Sequence, residues 1–210
     1  MQMQKLKFYN LFYIFLMGSI FGYFFEVAYT LIRRHTFVNH TALVIGPFNV
    51  IYGISAVLLT IFLIKYQKSS YIKQFIVSFL LASVIEYIAS WGMETLFGFT
   101  AWNYQRYFLN INGRICLIYS AAWGILGIFW INYLYPKIIK LIEKMNKKFG
   151  LKLMTFLIPF LIFDLSLSIS AVVRAKQKDA GVPAQNIYDK FLDHTFNRDY
   201  LKNMFNNHWK

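Results

Sequence analysis

A chain of 210 residues that is 58% hydrophobic and 20% aromatic but only 15% charged has too little polar surface to coat a soluble globule, which points to a membrane protein. Its one cysteine, Cys116, excludes an internal disulfide and a thiolate metal cluster. The net charge of +13 is no nucleic-acid signal, because the basic residues fall between long apolar runs, where positive-inside bias and anionic lipid headgroups account for them.

In chain order, Lys5 and Lys7 precede an apolar run from Leu11 that is too long for a signal peptide and is followed by no small-residue cleavage site. It reads as a retained first span. At about 20 residues per bilayer crossing, five runs qualify: 11–32, 44–64, 74–97, 115–135 and 153–173. The expected fold is all-α, a polytopic bundle of five transmembrane helices over 1–175 followed by a polar tail, 176–210. Five crossings put the termini on opposite sides of the membrane. The side holding the N-terminus and the 65–73 and 136–152 connections carries eleven Lys or Arg, against eight close to the spans on the other side. That bias predicts a cytoplasmic N-terminus and an external tail.

Every basic residue on the expected inner side is Lys, whereas all six arginines (33, 34, 106, 114, 174 and 198) fall on the outer side. Topology alone would produce such a division. So would use of the planar Arg fork to hold carboxylate or phosphate. In the tail, apolar residues at 187, 188, 191, 192, 196, 200, 201, 204 and 205 follow Pro183 at nearly helical spacing. One amphipathic helix over 187–205 is predicted, lying on the outer interface or folding over the bundle.

Four of the nine acidic residues, Glu26, Glu86, Glu94 and Asp164, lie inside apolar spans, where an ionised carboxylate costs several kcal/mol unless paired or wetted. With Arg33, Arg114 and Arg174 at the outer span ends they are expected to form one charged zone in the outer half, either as a functional cavity or as fixed interhelical ties. Gly18, Gly22, Glu26 and Thr30 recur every four residues, a small-residue face that lets another helix approach and that could seat a homo- or hetero-oligomer. Ser83, Glu86, Ser90 and Glu94 make a polar stripe on the third span; Asp164 and Ser168 share a face of the fifth, past Pro159. Gly46 and Pro47 lead into the second span through either a broken helix or a capped start.

Between the third and fourth spans, WNYQRYFLNINGRICLIYSAAWG (102–124) sets Arg106 and Arg114 among Trp102, Asn112 and several tyrosines, as the mouth of a site would. The chain has no phosphate-binding loop and neither G-x-S-x-G nor H-E-x-x-H, and histidines 35, 40, 194 and 208 are not spaced as metal ligands. No metal or cofactor is expected in this chain.

Gly22 to Glu26 with Arg33, GPFNVIYG at 46–53, Glu86 with Tyr87, WNY and NINGRICLIYSAAWG, Asp164 with Arg174, and LDHTFNRDYLKNMFNN at 192–207 together resemble the type IV ABC-transporter permease family, the CmpB-like bacterial membrane proteins. The likeness runs nearly end to end, and the NINGRIC block is its most specific part. Asn103 stands where the family pattern leads us to expect Asp, and Asn197 and Asn206 where it leads us to expect Pro. The resemblance implies transport powered by a separate ATPase, so that ATP enters only through that partner, docked on the inner 137–152 segment. The function expected is a permease-like membrane component with an outward-facing polar cavity, where Glu26, Glu86, Arg114, Asp164 and Arg174 bind or gate. Two alternatives stand beside it: an enzyme acting on a lipid or envelope precursor at the outer leaflet, with Glu26 or Glu86 as acid or base, and a non-catalytic assembly partner working through the Gly18 and Gly22 face.

Overall fold

Asn49, Ser70, Asn146, Asn186 and Asn197 each accept a hydrogen bond from a backbone N–H of the turn that follows, and these caps punctuate the chain. The computed structural model describes residues 6–98, 100 and 102–205; Lys5 and the family positions Asn206 and Asn207 lie outside them. Its helices are α1 (Phe8–Arg34), α2 (Val50–Leu63, prolonged by a 3-10 turn at Ile64–Tyr66), α3 (Tyr71–Phe97), α4 (Leu117–Phe129), α5 (Tyr135–Lys144), α6 (Lys147–Asp179), α7 (Ile187–Thr195) and α8 (Arg198–Met204). No strand occurs among the described residues, in keeping with the all-α expectation. A five-residue π turn, Trp130–Leu134, joins α4 and α5 into one rod. Pro136 explains it: the ring has no N–H for the carbonyl of Asn132 and crowds the turn before it.

Four helical stretches are long and apolar enough to cross a membrane: Phe8–Arg34, Tyr71–Leu96, Leu117–Lys144 and Lys147–Asp179. The fifth expected span, 44–64, differs from the expectation. Only Val50–Tyr66 is helical there, about 25 Å at helical rise against a bilayer core of about 30 Å. Before it, residues 36–49 fold back along α1, so that Asn49 N–H donates to the carbonyl of Ser19, in the middle of α1, at 3.0 Å. Irregular backbone at such depth survives only where protein buries and satisfies it. Here Val44 N–H donates to Ser168 Oγ at 2.8 Å and Ile45 N–H to Asp164 Oδ1 at 3.1 Å, while the Thr41 hydroxyl reaches the carbonyls of Leu43 and Gly46.

Helices α1 and α2 pack antiparallel through the glycine face: a Cβ on Gly18 would sit 2.6 Å from Ala56 Cβ, and one on Gly22 2.2 Å from the Tyr52 side chain. The face expected to seat an oligomeric partner is therefore covered by this chain's own α2. Small residues serve α3 and α4 in the same way, with Gly127 against Ser78 and the Ser83 hydroxyl donating to Ser120 at 2.7 Å.

The tail is two helices and not the single one expected. Asn197 breaks it, because its side chain accepts the Tyr200 N–H and starts α8 afresh. Leu192, Phe196, Leu201 and Phe205 are buried against Val44, Leu167 and Ala171, so the tail folds over α6 and the irregular loop. A second core gathers Ile14, Leu59, Leu63, Trp130, Ile131 and Ile138 at the opposite end. All six arginines occupy the end where α1 and α3 finish, and Lys137, Lys140, Lys144, Lys147, Lys148 and Lys152 crowd the other, around the α5–α6 turn.

Candidate functional site

Glu26 lies one turn beyond Gly22 on α1, and the bare backbone at Gly22 lets the Tyr52 ring of α2 lie across the helix. The Tyr52 hydroxyl then donates to Glu26 Oε1 at 2.5 Å. From α3, Glu86 enters the same region; it is 7% exposed and accepts the Tyr104 hydroxyl at 2.9 Å on Oε1, while Oε2 is buried with no hydrogen-bond partner. Tyr52 feels both carboxylates, and the Trp123 side chain of α4 is a hydrogen-bonding neighbour of Glu86. Tyr52 and Trp123 pack with ring centroids 5.3 Å apart. Two carboxylates from two helices thus share one aromatic cluster, and Ser90 Oγ is a further buried, unpartnered atom one turn along α3 from Glu86.

The loop after α3 supplies Tyr104. Its backbone is folded by Asx turns: Asn103 Oδ1 accepts Gln105 N–H at 2.9 Å, Asn110 Oδ1 accepts Gly113 N–H at 3.1 Å, and Tyr104 N–H donates to the Gly113 carbonyl at 2.7 Å. Gly113 has φ +68°, and a Cβ there would strike Gln105. At position 103 the turn uses a side-chain oxygen, which the family's expected Asp would supply equally. Tyr104 stacks on Tyr119 at 4.6 Å, and burial, with the Glu86 carboxylate beside it, pushes its hydroxyl well above the usual phenol range, so it remains a donor.

The charges around this cluster are few. Arg33 bonds the Tyr29 hydroxyl and reaches that of Tyr119 at the exposed rim. His40 Nδ1 stands 4.0 Å from Glu26 Oε2, but burial holds the imidazole below its ordinary pKa, with Glu26 opposing that shift and Arg34 adding to it. Among the described residues neither Glu26 nor Glu86 forms an ion pair with Lys or Arg.

The remaining expected residues lie elsewhere. Arg114 pairs with Glu94, sits 5.3 Å over the Tyr87 ring and leaves Nε buried without a partner; Asn112 donates to the Tyr87 hydroxyl at 2.8 Å, and the Trp102 indole N–H donates to the Arg114 carbonyl at 2.8 Å. These five tie the loop after α3 to the last turns of that helix. Asp164, fully buried, holds the irregular loop through Ile45 and Ser168. Arg174 makes two 3.0 Å bonds to Asp193 of α7 and a third to the Val182 carbonyl, and that guanidinium draws the Asp193 carboxyl below its usual range. A single pocket in which all four acids meet guanidinium groups is therefore not what forms: Glu26 and Glu86 come together, while Glu94, Asp164 and Arg174 each have separate structural partners. Tyr52, Tyr104, Tyr119 and Trp123 complete the site; the 102–124 stretch expected to form its mouth holds three of them without marking any one, and the bare face at Gly22, four residues before Glu26, is the other sequence signal near Tyr52.

Beside the carboxylates runs an apolar groove of about 410 Å³ between α1, α2 and α4, from Leu134 and Trp130 at the lysine-rich end to Tyr52 and Trp123 at the cluster. Its outer wall includes Phe21, Phe24, Phe25 and Phe129, all exposed, so it is open toward the lipid side.

Neither the curated proteins nor the solved structures hold a match to this chain. Residues 13–169, which carry α1 to α5, most of α6, Glu26, Glu86 and the loop between α3 and α4, match the family model described as "Putative ABC-transporter type IV", and the chain belongs to that family.

Proposed function

We propose that this chain is the membrane-embedded, permease-like subunit of a bacterial transport system, seated in the cytoplasmic membrane with its lysine-rich end inside and its arginine-rich end outside. Support comes from its family and from one observation above the others: Glu26 and Glu86, on two different helices, share a half-buried aromatic cluster with no Lys or Arg paired to either among the described residues. Purely structural acids in a bilayer are normally paired. An unpaired couple next to an open groove is an arrangement for a solute that comes and goes.

The chain holds no nucleotide-binding motif, so energy would come from a separate ATPase. Its natural dock is the α5–α6 turn, where Lys137, Lys140, Lys144, Lys147, Lys148 and Lys152 are all exposed. Gentle extraction of the tagged chain from its native membrane should bring down a stoichiometric, ATP-hydrolysing subunit. Lys140→Glu with Lys144→Glu and Lys148→Glu should release that subunit while leaving the melting temperature unchanged. A preparation that folds normally and carries no ATPase would overturn this reading.

A further inference from the structure

We infer that the groove and the carboxylate cluster form one binding site for an amphiphilic organic cation, a single apolar chain bearing an ammonium headgroup. This names the substrate class of the site proposed above and rests on that reading for its role in transport.

Three features of the site converge on this chemistry. The groove is lined almost wholly by carbon: Phe21, Phe25, Leu59, Leu126 and Phe129 leave nothing for a polar solute to bond along its length. Its volume of about 410 Å³ suits a single chain; a ligand held there lies parallel to the helices and can enter sideways from the bilayer, past the exposed phenylalanines. At the groove's end lie Tyr52 and Trp123, and beyond them stand two carboxylates whose partners are neutral phenols and the neutral Trp123 indole. Glu86 Oε2, in a residue that is more than nine-tenths buried, has no partner.

A buried carboxylate in that condition is favoured by a cation and disfavours an anion. Tyr and Trp rings add cation–π attraction for a quaternary ammonium group, which is more weakly hydrated than a metal ion or a primary ammonium and so costs less to desolvate. A phosphate or sulfate head would meet two like charges, with Arg114 committed to Glu94 and Arg33 at the rim engaged by tyrosines. Charge complementarity therefore separates this occupant from an ordinary anionic lipid.

The test is equilibrium dialysis of labelled dodecyltrimethylammonium, below its micellar concentration, against the full chain in zwitterionic-lipid nanodiscs, with empty discs subtracted. Saturable binding at one site is expected. Dodecyl sulfate and dodecanol should fail to compete, and tetramethylammonium, lacking the chain, should compete at least about tenfold more weakly, the loss of the groove contacts being worth more than one decade. Glu86→Gln, which keeps an acceptor for Tyr104, should weaken binding by at least about tenfold. No saturable binding, or equal competition by dodecyl sulfate, would overturn the inference, and both readings come from the unmodified protein. Absence of binding in a chain that still carries its ATPase removes the substrate class alone; binding by a chain that carries none removes the transport reading alone.

Discussion

Gly22 decides whether the site exists, because its missing side chain is the space in which Tyr52 lies. An alanine Cβ would sit 2.2 Å from the Cβ and Cγ of Tyr52, closer than atoms can approach, and those atoms belong to the stiff root of the ring and not to a flexible tip. Tyr52 would have to leave α1 and release Glu26. Gly22→Ala is therefore expected to destabilise the protein by about 1–3 kcal/mol, as overpacking does, and to weaken any ligand that uses Glu26. Gly92, on α3, has nothing within 4 Å of the equivalent position, so Gly92→Ala should be neutral or gain up to about 1 kcal/mol from helix propensity alone. Thermal melting of both variants in the same detergent checks the pair; equal melting temperatures would mean that the α1–α2 contact is not as close as described. Glu26 and Glu86 could be picked out from the sequence because ionisable residues are conspicuous among apolar ones. Their phenol and indole partners could not, since in a chain this rich in aromatics no single Tyr or Trp stands out until the helices are packed.

At the scale of elements, the segment before α2 shows where hydropathy stops being informative. Val44, Ile45 and Phe48 score as membrane residues whether they are helical or irregular, so an apolar count runs straight through 44–64 and reports a span. The cues that the helix starts only at Val50 are local: Gly46 at φ +85°, Pro47, and Asn49 as the cap. Asp164 then takes on a meaning that its position in α6 did not disclose. It is the acceptor that makes irregular backbone affordable at that depth, by taking the Ile45 N–H and lying against Ser168, which takes the Val44 N–H. Asp164→Ala should leave the part-buried Ile45 N–H unpaired, at a cost of about 1–3 kcal/mol. Asp164→Asn retains an acceptor oxygen and should lose clearly less. Melting temperature, read together with maleimide labelling of a cysteine placed at Ile45, distinguishes the two. If the Asn variant were as damaged as the Ala variant, the charge and not the acceptor would be what position 164 supplies.

For the whole molecule, the two ends differ in chemistry, and that difference leads to the last prediction. Helix α2 runs antiparallel to α1, with Tyr52 over Gly22 and Ala56 over Gly18, and brings the chain to Tyr66 at the lysine-rich end, where Gln74 of α3 caps the carbonyls of Tyr66 and Gln67. Helix α2 is shorter than a full span, and the irregular loop ahead of it runs back along α1, so the proposed topology takes loop and helix together as one crossing. On that proposal the termini stay on opposite sides of the membrane with only four long apolar helices. The proposed topology puts Lys148, in the first turn of α6, and Asn186, the cap of α7, on opposite faces of the membrane, with the lysine-rich face inside by the positive-inside rule. The native Cys116 is 1% exposed and should stay silent toward a membrane-impermeant maleimide. In intact cells Asn186→Cys should label and Lys148→Cys should not; after lysis both should. Labelling of both from outside would mean that the loop and α2 return to the face they left, which would put the lysines of the α5–α6 turn beyond the reach of any cytoplasmic ATPase.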